Sequence, residues 1–232
     1  MQKITQEVAM RLTVCHTVLL LGLGASAAFA QTAAPAITAM SPDRARDAYL
    51  IYSSLIPLGE TAGRDWPHDL WLVRDVTLEV VPAAQPCAPR PATKEESFDM
   101  NPHFAVHPPK ASMQDFQEIL SDFDAHCHER SRLELGGWLL NAPVRLLNEK
   151  DQQKFAASRS TRSPDPAVEA EFKGAAALYG FSQVFFNASH TVALVYATHW
   201  CGGLCGQGFW IAFGLDGAKW KPLNWSSTSW IS

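Results

Sequence analysis

The C-terminal stretch, residues 181–232, constrains the fold more than any other part of the chain. It contains three apolar runs rich in β-branched and aromatic residues, and these residue types favour half-buried strands. The runs cover residues 181–186, 191–200 and 209–215. Asn187-Ala188-Ser189-His190 follows the first run, and Asp216-Gly217, a pair typical of a type I′ hairpin turn, follows the third. With residues 219–231 as a possible further strand, the stretch predicts a meander of three or four antiparallel strands.

A glycine-rich segment separates the second run from the third. It extends from Cys201 to Gly208 and contains four glycines, which adopt backbone conformations that other residues avoid. Alternation along the second run directs His199 to the strand face that turns polar at its end. We therefore predict that this loop and the neighbouring strand border a binding site. Its candidate residues are Tyr196, His199, Gly203, Gly206 and Gln207.

The residues before the meander predict both helices and strands. Ser41, Ser112 and Asp165 are typical of helix starts, because their side chains can cap a helix. Ser41 and Asp165 are also followed by proline, which is common at the first helical position. The predicted helices cover residues 42–57, 149–157 and 167–179, with one more from 113 into the segment 122–129, and Gly180 closes the helix at 167–179. The predicted strands cover residues 69–81, 133–140 and 144–147, the last two being one broken strand or two separate ones.

Together these elements predict an α+β domain. We expect its helices to pack on a curved antiparallel sheet that ends in the C-terminal meander. In the strand predicted at residues 69–81, alternation directs Val76 inward and Thr77 outward. A proline-rich excursion at residues 82–110 interrupts the domain, and loops of this length are often functional.

The first thirty residues have the pattern of a secretory signal. Arg11 precedes an apolar run at residues 18–23, and Ala28-Phe29-Ala30 is a typical cleavage site. Met10 is as good a start for this signal as Met1. A membrane anchor is the less favoured alternative, because the apolar run is shorter than the about 20 residues that a spanning helix needs.

The signal predicts the organisation of the rest of the chain. We expect cleavage near Ala30, a mobile tether at residues 31–40 and a single domain at residues 41–232. The mature protein would be periplasmic or secreted. The sequence after residue 30 offers no further segment apolar enough to cross a membrane, so we expect no membrane span in the mature chain.

The cysteines fit the same compartment. Cys15 would leave with the signal, and four cysteines would remain, an even number of the kind that oxidising compartments favour. Four cysteines allow three pairings. We favour Cys201–Cys205, which closes a local ring, with Cys87–Cys127, which ties down the proline-rich excursion.

Four pieces of the C-terminal stretch occur together in a known pattern: residues 181–187, 193–196 and 201–208, followed by Trp220. This pattern resembles that of an uncharacterised group of secreted bacterial proteins. The resemblance covers roughly the last quarter of the chain. Since that group has no established activity, the resemblance implies only an exported protein whose C-terminal segment folds as one unit.

The charge balance makes nucleic acid an unexpected partner. The chain carries 19 lysines and arginines against 23 aspartates and glutamates, a formal net charge of −4. It contains no basic run, whereas non-specific nucleic-acid binding depends on clustered lysines and arginines that neutralise phosphates. The expected partner is an unidentified protein or small-molecule ligand.

Histidine and cysteine pairs suggest metal or redox chemistry as alternatives. Cys127 with His126 and His128, or His199 with Cys201 and Cys205, offers zinc donors, but a zinc site needs three or four that converge. Catalytic redox pairs are usually Cys-x-x-Cys at a helix start. Cys201 and Cys205 instead have three intervening residues and lie in a predicted hairpin. Structural disulfides and surface histidines are the commoner case, and we expect no metal and no cofactor.

Nucleotide and acyl-transfer chemistry have weaker support. Residues 203–208 spell G-x-x-G-x-G, but they lack the strand-to-helix setting of a dinucleotide site and the lysine of a phosphate loop. The sequence also contains no Gly-x-Ser-x-Gly nucleophile motif.

Three functional hypotheses follow from the sequence. The first is a non-catalytic exported domain that binds a ligand or partner beside the glycine-rich loop. The second is a metal-assisted or hydrolytic enzyme that uses His199 and the loop from Cys201 to Gly208. The third is an inhibitor-like or assembly module that uses the excursion at residues 82–110 as its contact surface. A stoichiometric metal ion would separate the second hypothesis from the first.

Overall fold

A computed structural model describes residues 36–58, 69–88, 100–160, 165–227 and 229–231. The predicted signal at residues 1–30 and part of the tether therefore lie outside the described residues. None of the helices within these ranges is long and apolar enough to cross a membrane.

The described residues form five α-helices and eleven strands. The helices are α1 (Pro42–Leu58), α2 (Pro102–Ala105), α3 (Met113–His126), α4 (Glu149–Ser160) and α5 (Pro166–Glu171). The first six strands are β1 (Ile37–Ala39), β2 (Trp71–Arg74), β3 (Val106–His107), β4 (Arg130–Arg132), β5 (Val144–Leu147) and β6 (Leu178–Phe186). The C-terminal strands are β7 (Val192–Gly202), β8 (Cys205–Asp216), β9 (Lys219–Pro222), β10 (Ser226–Ser227) and β11 (Ser229–Ile231).

A seven-stranded mixed sheet forms the centre of the domain. Its order is β11-β8-β7-β6-β2-β5, and β9 pairs with the other end of β8. Strands β6 to β9 are antiparallel and follow sequence order, which confirms the predicted meander. The α+β class is also confirmed. The sheet is not antiparallel throughout, because β2 pairs in parallel with both β5 and β6.

Helices cover both faces of this sheet. On one face, Tyr52 of α1 stacks on Phe181 of β6 with ring centroids 4.8 Å apart. On the other face, Phe123 of α3 packs against Phe185 of β6 at 5.0 Å. Because both faces are covered, β6 is buried along its whole length, and its sequence is mostly apolar and does not alternate.

The helix predicted at residues 167–179 is wrong in its second half. Asp165 does cap a helix, since its carboxylate accepts from the Ala167 N–H at 2.8 Å, but α5 ends at Glu171. A turn with Gly174 at φ 83° follows, and β6 begins at Leu178. Gly180 lies inside this strand, where a Cβ would approach Thr198 Oγ1 to 2.9 Å. Burial in the sheet outweighs the helix propensity of the alanines before it.

The strand predicted at residues 69–81 is also too long. Strand β2 stops at Arg74, and the chain then turns towards β4. Thr77 is fully buried, contrary to its predicted outward direction, because its N–H donates to Ser131 O and its hydroxyl accepts from Ser131 N–H. The strand predicted at residues 133–140 is wrong as well: Leu135–Gly137 is a 3₁₀ turn. The strand at Val144–Leu147 is confirmed.

The last predicted hairpin turn is shifted by one residue. Asp216 pairs with Lys219, so the two-residue loop consists of Gly217 and Ala218. Gly217, at the first central position, has φ 61°. Glycine at this position is the mark of a type II′ turn, whereas the predicted type I′ turn would place it second.

Both predicted disulfides are present. Cys87–Cys127 joins the start of the excursion to the C-terminal end of α3, with Cα atoms 6.0 Å apart. Cys201–Cys205 closes the β7–β8 hairpin, with Cα atoms 5.2 Å apart. Of the predicted tether, residues 37–39 form β1, which pairs with β4. The described parts of the excursion, residues 82–88 and 100–110, include α2 and β3.

Candidate functional site

The β7–β8 hairpin ends in a glycine turn. Gly202 has φ 112° and Gly203 has φ 45°, values that favour glycine. A Cβ on Gly202 would lie 2.8 Å from the Cβ of Arg159, so this turn packs closely against the end of α4. Gly203 and Leu204 form the exposed tip, and the side chain of Leu204 is 93% exposed. The disulfide and the glycines therefore fix the hairpin against α4.

A cavity of about 660 Å³ lies beside this hairpin. Its lining comes from the end of α4, from α5 with the turn after it, and from Cys201. The buried part of the lining is apolar and includes Phe172 and Ala175. The exposed part carries charges from Arg159, Lys173 and Glu169. The cavity thus combines an apolar interior with two cations and one carboxylate.

Arg159 is held in place at the wall of the cavity. Its Nη2 donates to the carbonyl oxygen of Ala175 at 2.6 Å. The guanidinium also lies over the ring of Phe155, 5.2 Å from the centroid. A guanidinium has five N–H donors, more than this one acceptor uses. Arg159 is therefore a fixed cation beside an apolar cavity, which is a favourable arrangement for a carboxylate or phosphate.

Two of the five predicted site residues come together. His199 of β7 and Gln207 of β8 are direct cross-strand partners, and both are half-buried. Tyr179 of β6 is opposite His199 on its other side, with ring centroids 6.3 Å apart. Directly opposed residues of antiparallel strands share a face. His199 and Gln207 therefore lie on the sheet face that α1 covers elsewhere.

Tyr196 lies apart from these two residues. Its position in the strand alternation puts it on the opposite face, where it packs against Trp210. Its hydroxyl donates to the sulfur of Met100 at 2.9 Å and accepts from Trp230 Nε1 at 2.5 Å. Burial raises the pKa of Tyr196 to about 12. Both hydrogen-bonding functions of the hydroxyl are engaged in packing, so Tyr196 supports the core.

The two predicted glycines also differ in their surroundings. Gly203 lies at the exposed hairpin tip, with open space around its Cα. Gly206 is buried and pairs with Trp200. The five candidate residues thus occupy the hairpin tip and both faces of the sheet rather than one site.

Cys201, Cys205 and His126, three of the predicted metal donors, have other partners. Cys201 and Cys205 are bonded to each other, so no thiolate accompanies His199 in this state. His126 Nδ1 lies 2.8 Å from the carbonyl oxygen of Asp122 and 3.0 Å from its carboxylate. These contacts hold His126 on its own helix.

Sequence reasoning missed Arg159, Phe172 and Lys173. They surround a cavity formed where the sequence predicts an uninterrupted helix to Tyr179. Gly174 was the available signal, because a glycine inside a helical pattern often marks its end. The alanines at residues 175–177 masked that signal with their high helix propensity.

The pH dependence of stability tests whether His199 is buried on the sheet face that α1 covers elsewhere. Desolvation lowers the pKa of His199 below 6.5, so the unfolded chain takes up this proton at higher pH than the folded chain. As the pH falls from about 6.5 towards the lower folded pKa, stability is therefore lost. We expect His199→Gln to remove this loss. Its unfolding free energy relative to the wild type should change as the pH falls below about 7 and stay constant above that pH.

Urea unfolding at a series of pH values measures the effect. His107→Gln is the matched control, because the side chain of His107 is exposed. Its stability should run parallel to the wild-type curve. A His199→Gln curve that is also parallel to the wild type throughout would show that His199 is not desolvated.

Comparison with known proteins found no match. No family model matches the chain, and no curated protein or solved structure is significantly similar to it. The cavity, the hairpin and the disulfides are therefore the observations that bear on function.

Proposed function

We propose that this chain is an exported, non-catalytic domain that binds a small ligand in the cavity beside the Cys201–Cys205 hairpin. The cavity carries the proposal. Its volume of about 660 Å³ falls within the range of about 300–1,000 Å³ that is usual for ligand sites. Such sites are mostly apolar with a few placed polar groups, as in this cavity.

The charges favour a ligand with an apolar body and an anionic group. Arg159 and Lys173 contribute two positive charges to the lining, and Glu169 contributes one negative charge. The guanidinium of Arg159 is oriented by Ala175 and Phe155, and a fixed guanidinium binds carboxylates and phosphates with directed hydrogen bonds. Phe172 and Ala175 offer the complementary apolar surface.

Export to the periplasm or the cell exterior is part of this proposal. Two disulfides support it, because disulfides persist in oxidising compartments and are rare in the cytosol. The apolar run and the Ala28-Phe29-Ala30 tripeptide of the sequence support it as well.

A cavity-filling substitution tests the binding site. We use 8-anilinonaphthalene-1-sulfonate as the probe, because it has an apolar body and one anionic group, and its fluorescence rises in apolar surroundings. Ala170 lines the cavity from α5 and is exposed, so Ala170→Trp should fill the cavity without disturbing the core. We expect it to weaken probe binding by about tenfold or more.

Ala167→Trp is the matched control. Ala167 is an exposed alanine on the same helix, and it does not line the cavity. This variant should bind the probe as the wild type does. Equal binding by the wild type and by Ala170→Trp would contradict the proposal.

A metal-assisted or hydrolytic enzyme is the alternative proposal. The lowered pKa of His199 supports it, because a neutral imidazole is the form that binds metals and accepts protons. The bonded state of Cys201 and Cys205 weakens it. A stoichiometric metal ion that is lost in His199→Ala would favour the enzyme over the binding domain.

A further inference from the structure

A histidine lies against the Cys87–Cys127 disulfide. Ligand atoms of Cys87, Cys127 and His128 are all within 4.8 Å of one another. Cys127 and His128 follow the last turn of α3, and Cys87 comes from the excursion. Two sulfurs and one imidazole are donors that zinc takes in proteins. The fold thus brings together three residues whose chemistry suits a zinc ion.

The imidazole of His128 supplies a second observation. Its Nδ1 atom is buried and has no hydrogen-bond partner within the described part of the chain. Nearly all buried polar atoms in proteins have a partner, since leaving one unpaired costs free energy. An imidazole that lies beside two sulfurs and has an unpaired nitrogen is a side chain that a metal ion would satisfy.

The space around the cluster supplies a third observation. A cavity of about 370 Å³ is lined by Cys87, Asp124, His128 and Glu129, among others. The carboxylate of Asp124 is oriented by His103, whose Nε2 lies 2.8 Å from Oδ1. There is therefore room for an ion, with a carboxylate or a water molecule as the further ligand.

We propose that reduction of the Cys87–Cys127 disulfide converts this cluster into a zinc site. Cys87, Cys127 and His128 are its three protein ligands, and the fourth position takes water or the Asp124 carboxylate. The bonded and the metal-bound forms exclude each other, because the same sulfurs serve both. The inference goes beyond the proposed ligand cavity and does not depend on it.

The chemical step balances with a dithiol as reductant. The dithiol gives two electrons and two protons to the disulfide, which becomes two thiols, and the reductant becomes a disulfide. Zinc then binds two thiolates and releases their two protons to the solvent. The sulfurs move apart from about 2.05 Å in a disulfide to about 3.8 Å around a tetrahedral zinc with bonds of about 2.3 Å.

From the sequence alone we expected no metal and did not consider Cys87, Cys127 and His128 together as ligands. Cys87 and Cys127 are 40 residues apart, so they form no short ligand motif. The sequence offers His126 and His128 equally as partners of Cys127, and in the fold the ring of His126 turns back to Asp122. Only the folded chain shows that His128 is the histidine beside the sulfurs.

The test uses the full chain with Cys15→Ser, Cys201→Ser and Cys205→Ser, so that Cys87 and Cys127 are its two remaining cysteines. A phosphine reduces their disulfide, with water supplying the oxygen of the phosphine oxide. Zinc affinity is measured by competition with a chromogenic chelator, and Co²⁺ absorption reports thiolate ligation. We expect one zinc per chain after reduction, with an affinity about 100-fold or more above that of the oxidised chain. We expect His128→Ala to weaken binding about tenfold or more.

His126→Ala is the matched control, and it should keep the affinity of the parent. Far-UV circular dichroism follows the fold of the reduced chain before and after zinc is added. Equal zinc affinity in the reduced and oxidised chains would overturn the proposal, as would undiminished binding in His128→Ala. A reduced chain that is unfolded and stays unfolded with zinc would overturn it too, because metal binding and folding are linked.

Discussion

Asp122→Ala is expected to destabilise the protein by about 3–5 kcal/mol. The carboxylate of Asp122 accepts two hydrogen bonds from the guanidinium of Arg44 and one from the N–H of Phe186. It therefore joins α3 to α1 and to the central strand β6. Both charged side chains are largely buried, with 18% of Asp122 and 23% of Arg44 exposed. Within the described part of the chain, removing the carboxylate leaves the Arg44 cation with only the carbonyl oxygen of Val184 as acceptor and the Phe186 N–H without its acceptor, and this loss accounts for the size of the effect.

Denaturant unfolding measures this loss. Asp122→Asn keeps an acceptor but removes the charge, so its stability should fall between those of the wild type and Asp122→Ala. Asp216→Ala is the control, because Asp216 pairs with Lys221 in full contact with solvent. We expect no measurable change there. If Asp122→Ala were as stable as the control, Asp122 would not join these elements.

Gly208→Ala is expected to lower the free energy of unfolding by about 3 kcal/mol. Gly208 lies on β8, and a Cβ there would collide with the hydroxyl of Tyr196 and with the indole of Trp230. Tyr196 is only 2% exposed, so its ring has no free space into which to move. The added methyl group would break the hydrogen bond from Trp230 to Tyr196 and displace β11 from the edge of the sheet.

Gly136→Ala is the matched control for this substitution. A Cβ on Gly136 meets no atom within 4 Å, so the extra methyl group should leave the thermal midpoint nearly unchanged. Thermal unfolding monitored by tryptophan fluorescence compares the two variants. Equal midpoints for Gly208→Ala and Gly136→Ala would contradict this packing at the sheet edge.

The meander could be predicted because its strands and turns are encoded by neighbouring residues. The disulfides could be predicted because the number of possible cysteine pairings is small. Strand-favouring residues and turns define β6, β7 and β8, and four cysteines leave few pairings. The helix predicted at residues 167–179 failed because alanine propensity is weak against burial in a sheet. Thr77 was misplaced because alternation assumes a straight strand, whereas the chain leaves the sheet after Arg74.

The site could be predicted only in part. The sequence identified the hairpin from Cys201 to Gly208, and Cys201 does line the cavity. Arg159 approaches that hairpin from a helix more than forty residues earlier, so the contact has no local sequence signal. At Gly208 the glycine-rich pattern suggested a ligand loop. In the structure, the absence of a side chain at Gly208 instead allows close packing against Trp230.

An amide NMR titration with 8-anilinonaphthalene-1-sulfonate tests the ligand cavity most directly. If the probe binds in the cavity, we expect shifts confined to residues 169–176, to Arg159 and to the hairpin at residues 201–206, with none of them in Ala170→Trp. Shifts centred on His199, Gln207 and Phe209, on the face that α1 covers elsewhere, would contradict binding in the cavity. That result would place the ligand where the alternative enzyme proposal requires it.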